Sequence, residues 1–251
     1  MTTALSRRLP RLSAGIAAAV LLVGCGGGDS EEAASSSAAT SSVAESEEPA
    51  EGSDLAQGLL PAEAFGPDAT VVAVSPEQLE SGAGLVAGQD VEIQPENCRA
   101  SVESTQPDLS AFDDVAAQSA SAGPVATVEM LLRGGPIEDV TASLSEAAER
   151  CPEAAISSPE FGQATLTFED LPVDDLGDGA ALARLTTAIA APDGTRISVP
   201  TLIGMVEDGD RLVVLVSVVV DPTQGEAAGT DPAEFAALLA QAYETQADAL
   251  G

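Results

Sequence analysis

This sequence predicts an α+β domain with a central antiparallel sheet, and three observations lead there. Two Asp-Gly pairs, Asp193-Gly194 and Asp208-Gly209, each separate runs rich in aliphatic and β-branched residues, the pattern of hairpins closed by tight turns. The run from Leu212 to Val220 is almost wholly aliphatic, which suits a central strand covered on both faces. Two segments, Pro136–Arg150 and Asp231–Ala249, carry apolar residues at helical spacing. Strands joined by short turns, with only a few helices between them, place the chain in the α+β class rather than in an alternating βα fold.

At the start, Arg7, Arg8 and Arg11 precede an apolar run from Leu12 to Val23 and then Gly24, the three parts of an export signal. The run gives way to Gly26-Gly27-Gly28-Asp29, short of the ~20 apolar residues that a membrane-spanning helix needs. Leu22-Val23-Gly24-Cys25 resembles the lipobox of bacterial lipoproteins. The resemblance implies cleavage after residue 24, with Cys25 as the first mature residue and acyl chains such as palmitate on its sulfur and amine. Its partner is then the membrane, which two or more chains hold stably at ~0.8 kcal/mol per buried methylene. The alternative is a plain signal peptide with an incidental cysteine. Ser6-Arg7-Arg8 hints at twin-arginine export, but Pro10-Arg11 stands where an apolar pair is needed, so general export is expected.

From Cys25 to Asp54 the chain is Gly, Ser, Ala, Thr and Glu with almost no large apolar residue. Such a stretch is expected to be a disordered tether reaching roughly 30 Å, further stretched by repulsion among its glutamates. Residues 55–251 then form one domain, long enough to bury a core.

Within that domain, a short helical turn is expected at Pro61–Phe65 and strands at Asp90–Gln94 and Gln163–Phe168. A third helix is expected at Leu109–Ser119, with Leu109, Phe112, Val115 and Ala116 facing in. Val125–Arg133 alternates, with Ala126, Val128, Met130 and Leu132 on one side, and leads through Gly134-Gly135 into the Pro136–Arg150 helix. That helix ends before Cys151-Pro152 and points Cys151 inward. Leu182–Ala190, Arg196–Val206 and Arg211–Val220 follow as a three-strand meander. Asp231-Pro232-Ala233-Glu234 opens the last helix with a cap, a proline in the first turn and an acid three residues on.

Composition restricts the chemistry. The 251 residues include 41 Asp and Glu, nine Arg, no Lys and no His, for a formal charge of −32. A surface this acidic repels phosphate backbones, so no nucleic acid is expected as a partner. Without His there is no Ser-His-Asp or Cys-His centre; without Lys there is no Schiff base and no P-loop lysine. One Tyr and no Trp leave little aromatic platform for a carboxylate-based glycosidase. The chain therefore reads as a non-enzyme with no cofactor and no metal. With Cys25 acylated, Cys98 and Cys151 are the two cysteines left, and outside the cytoplasm one disulfide is the natural inference, against two separate buried thiols. Gly82-Ala83-Gly84-Leu85-Val86-Ala87-Gly88 only superficially matches a dinucleotide loop, since its last glycine comes one position late. Asp174-Asp175-Leu176-Gly177-Asp178-Gly179 reads as a solvated turn rather than a calcium loop, since Leu176 and Leu185 occupy ligand positions.

Leu59-Leu60-Pro61-Ala62-Glu63-Ala64-Phe65-Gly66, the strand, turn and helix ending in Cys151-Pro152, and the terminal helix together resemble the extracellular sensor domain of mycobacterial receptor Ser/Thr kinases of the PknH type, which also occurs on free lipoproteins of actinobacteria. The resemblance spans about Leu59 to Leu250, and Cys98 and Cys151 sit where one of that family's disulfides falls. It implies an α+β domain with a ligand cleft and, with no kinase portion in this chain, a recognition module. The function expected is thus a non-catalytic, sensor-like domain anchored on the outer face of the cell membrane, binding an unknown small ligand or envelope protein. The alternative is a carrier of lipid or other hydrophobic ligand. No ligand-binding residue is assigned from the sequence. The six arginines after residue 24, Arg99, Arg133, Arg150, Arg184, Arg196 and Arg211, would form an anion site only where they converge.

Overall fold

The computed structural model describes residues 54–79, 91–105, 107–158, 162–190, 196–220 and 229–251. Cys25 with its signal and tether, the Gly82–Gly88 stretch and the Asp193-Gly194 turn lie outside the described residues. Nine strands form one antiparallel sheet: β1 (Thr70–Ala73), β2 (Glu92–Gln94), β3 (Asp114–Ala122), β4 (Val125–Arg133), β5 (Glu153–Ser158), β6 (Gly162–Leu171), β7 (Gly179–Ala190), β8 (Arg196–Asp208) and β9 (Arg211–Val219). Their order across the sheet is β1-β3-β4-β9-β8-β7-β6-β5-β2. The chain runs as a meander from β5 to β9, and the β3–β4 hairpin adds to β9. Both edges are short strands, of four and three residues, which limits pairing with other chains. The helices α1 (Arg99–Glu103), α2 (Val140–Arg150) and α3 (Pro232–Leu250) complete the described fold, with a further helical turn at residues 76–79. Among the described residues no helix is long and apolar enough to cross a membrane.

β9 shows why the sheet is buried on both sides. Leu212 and Val214 join the core under α1 and α2, while Val213 and Leu215 join a second core under α3 and the opening segment Asp54–Leu60. All four are at most 1 % exposed, so neither face of the strand meets water over Leu212–Leu215. The β8–β9 turn is centred on Gly209-Asp210, one residue later than the Asp-Gly pair suggested, because Asp208 still pairs with Arg211. Gly209 alone takes the positive φ, 62°, as in a hairpin turn with glycine first. Pro200 is tolerated inside β8 because the β9 ladder begins only at Thr201, so no bond on that side needs its missing N–H.

The expected helix at Leu109–Ser119 is corrected. Only Leu109–Ala111 winds, as a 3-10 turn, and Asp114–Ala122 is strand β3, paired along its whole length with β4. Val115 packs toward the α2 side and Ala116 toward the α3 side, the alternation of a strand. Small, weakly patterned residues left the period ambiguous, and the ladder decided it. The helix expected from Pro136 starts at Val140, after Asp139 in a left-handed conformation. Glu207 of β8 supplies its cap, accepting from the Thr141 N–H at 2.7 Å and the Thr141 hydroxyl at 2.9 Å. The terminal helix begins as expected, with Asp231 accepting from the amides of Ala233 and Glu234. β1 and β5 are strands the sequence reading did not include.

Candidate functional site

α2 packs on β6, β7 and β8 and so covers only part of its face of the sheet. The rest of that face is the floor of an apolar cavity of about 680 Å³. Val128 and Met130 of β4, Val216 of β9, Ile203 of β8, Leu185 and Ile189 of β7, Leu166 of β6 and Ile156 of β5 form the floor. Val74, Leu79, Val102, Pro107 and Leu109 form the walls. A disulfide sets one of these walls: Cys98 and Cys151 are joined, with Cα atoms 5.3 Å apart, and this ties the start of α1 to the end of α2. α1 then carries Val102 to the cavity, and the next turn adds Thr105, whose hydroxyl is already committed to the Val102 carbonyl at 2.7 Å.

Among the described residues the cavity lining contains no Asp, Glu or Arg. Its polar members are Gln78, Thr105, Ser119, Thr187 and Thr201. Gln78 Oε1 accepts from the Ser75 N–H at 2.9 Å. Among the described residues none bonds the hydroxyls of Ser119, Thr187 and Thr201, which are half-buried on three different strands. A volume within the ~300–1,000 Å³ of small-molecule sites, mostly hydrocarbon walls and a few placed polar groups is the make-up of a ligand pocket. Two other hollows, of about 550 Å³ and 170 Å³, have mixed polar linings.

The arginines whose side chains are described do not converge on this cavity. Arg133 bridges Asp54 and Asp114, both at 2.7 Å, and Arg150, Arg184 and Arg211 pair with Glu146, Glu169 and Asp208. Arg99 is exposed on α1, and the Arg196 side chain lies outside the described residues. The acidic turn at 174–179 packs against the end of the β8–β9 hairpin. The Asp178 N–H donates to the Glu207 carbonyl at 2.7 Å, and Asp178 Oδ2 accepts from the Gly209 N–H at 2.8 Å. Among the described residues no cluster of three or more acidic, Cys or His side chains could hold a metal ion.

Among the described residues Glu129 is the one buried carboxylate, and nothing in the sequence pattern singles it out. It sits on β4, 1 % exposed, on the α3 side of the sheet and away from the cavity. The Leu60 N–H donates to both its oxygens at 3.1 Å, and Gln118 Nε2 donates to Oε2 at 2.6 Å and to the Leu60 carbonyl at 2.8 Å. The carboxyl thus fastens the opening segment to the sheet. Burial pushes its pKa up to about 7, against the opposing pull of the Gln118 and Leu60 hydrogen bonds. The native state therefore holds a proton that the unfolded chain gives up near 4.5. The stability this contributes is complete below pH 4.5 and is lost as pH rises through about 7, by roughly 3 kcal/mol. Glu129→Gln is expected to flatten that slope, so urea unfolding of both proteins from pH 5 to 8 should show their difference in stability changing with pH. Parallel curves would mean the carboxyl does not titrate in this window.

Cavity residues come from seven strands and three connecting segments, which is why no single motif announced them. The legible signal was the interruption of inward-facing aliphatic positions by hydroxyls, as in Leu185-Thr186-Thr187-Ala188-Ile189. No family model matches the chain, and no curated protein matches it. Among solved structures, the chain is similar to the X-ray structure of an uncharacterized protein of Mycobacterium smegmatis, an Rv0999 ortholog, with TM-score 0.44 and 13% identity over 73% of this chain and 91% of that one. It is also similar to the extracellular domain of PknH from Mycobacterium tuberculosis, with TM-score 0.44 and 8% identity over 76% of this chain and 93% of that one.

Proposed function

We propose that this chain is a lipoprotein held by acylated Cys25 on the outer face of the cell membrane, and that its folded body binds a small hydrophobic ligand without transforming it. The observation that carries the binding reading is the apolar cavity of about 680 Å³, whose lining among the described residues holds no titratable side chain. Absence of His and Lys from the whole chain supports a non-catalytic role, since the side chains most often used as base or activated amine at neutral pH are missing. The export signal, the lipobox-like Leu22–Cys25 and the disulfide support an extracytoplasmic place.

Two tests separate the parts of this reading. The wild-type chain is expected to partition into the Triton X-114 detergent phase and Cys25→Ser into the aqueous phase; a wild-type chain found in water would remove the anchor. The uncharged dye N-phenyl-1-naphthylamine should bind the Cys25→Ser full chain saturably at one site, and Val216→Phe, which fills the floor, should abolish it. Unchanged binding in that variant would remove the cavity from the account. The carrier reading draws on the same apolar lining. It predicts ligand delivery to acceptor vesicles, where a sensor-like module retains its ligand.

A further inference from the structure

From the cavity's polar groups we infer the ligand's chemical class: an uncharged amphiphile with a hydrocarbon body and a hydroxyl, ester or carbonyl oxygen, such as a long-chain alcohol or a neutral glyceride. This inference rests on the cavity being the binding site and concerns what enters it. The argument begins with charge. A carboxylate or phosphate headgroup taken into an apolar cavity needs a partner cation, and an ammonium group needs a carboxylate. The described lining offers neither. Of the arginines outside it, Arg133, Arg150, Arg184 and Arg211 are committed to carboxylates. The formal charge of −32 further opposes the approach of an anion.

Hydroxyl placement then selects among uncharged molecules. Ser119 on β3, Thr201 on β8 and Thr187 on β7 face the same cavity and bond to no described residue. Thr187 and Thr201 lie on adjacent strands, where Thr187 pairs with Val199, two residues from Thr201. A ligand oxygen placed between them can accept from either hydroxyl, and a ligand hydroxyl can also donate to one of them. A pure hydrocarbon would leave these hydroxyls without partners once it displaced water, so an oxygen-bearing ligand is preferred.

The test is displacement of N-phenyl-1-naphthylamine from the Cys25→Ser full chain at pH 8 by dodecan-1-ol, dodecanoate and dodecyltrimethylammonium. Dodecan-1-ol is expected to displace the dye at a concentration at least about tenfold below either charged amphiphile. The near-isosteric double variant Thr187→Val/Thr201→Val should weaken dodecan-1-ol by about five- to tenfold relative to any change in its affinity for the dye. Equal or better displacement by a charged amphiphile overturns the ligand class while leaving the cavity as a binding site. Undiminished dodecan-1-ol affinity in the double variant overturns the role of the hydroxyls. No saturable dye binding at all removes the site reading and this inference together.

Discussion

Phe235→Ala is expected to cost about 3–5 kcal/mol of stability, enough to remove a large part of what holds a domain of this size together. Phe235 lies in the first turn of α3, fully buried, in the core formed with Leu239 and Ala242 of the same helix and Leu182, Leu202, Val206 and Leu215 of the sheet. Gly204 of β8 lets the helix come this close: a β-carbon there would stand 2.8 Å from a Leu239 methyl and 3.2 Å from the Phe235 ring. Truncating the ring leaves a void that a glycine floor cannot fill, so the full cavity cost is expected rather than a relaxed one. Urea unfolding reads it as a lowered midpoint with an unchanged slope. A loss below 1 kcal/mol would mean that α3 does not hold the sheet as described.

Loss of the disulfide comes next in size. Cys98 and Cys151 are 53 residues apart, and a bridge over that separation removes about 4 kcal/mol of unfolded-chain entropy. Cys98→Ala/Cys151→Ala is expected to lower the melting temperature by roughly 10 °C, and reducing the wild type should do the same. A second consequence separates this variant from any other core lesion. The bridge holds α1 beside the cavity, so dye binding should weaken in the double alanine variant under conditions where the sheet remains folded. Phe235→Ala, acting on the opposite face, should spare dye binding until global unfolding begins. Equal effects of both variants on the dye would mean that the wall carrying Val102 is set by something other than the bridge.

Much of the fold was legible because strong local signals agreed with tertiary demand. The capped start at Asp231, the glycine-centred hairpin beside Asp208 and the two-sided apolar run of β9 each encode an element in a few residues. Elements that failed to announce themselves are made of residues compatible with either period. Val115-Ala116-Ala117-Gln118-Ser119-Ala120 satisfies helical spacing as easily as alternation, and only pairing with Val125–Arg133 makes it a strand. β5, Glu153–Ser158, follows the bridged cysteine and is assigned by its neighbours β6 and β2. The cap on α2 comes from Glu207, 66 residues beyond Thr141, a distance at which no local motif operates. The cavity was hidden for the same reason: it is the part of one sheet face that α2 does not reach, and that is a property of how helix and sheet are arranged.

Native mass spectrometry of the chain purified from its own cells tests the central claim most directly. The account predicts a population carrying one uncharged lipid per chain, and loss of that added mass in Val216→Phe, whose larger side chain occupies the cavity floor. A wild-type protein that is bare under gentle ionisation, or the same adduct retained in Val216→Phe, would contradict it.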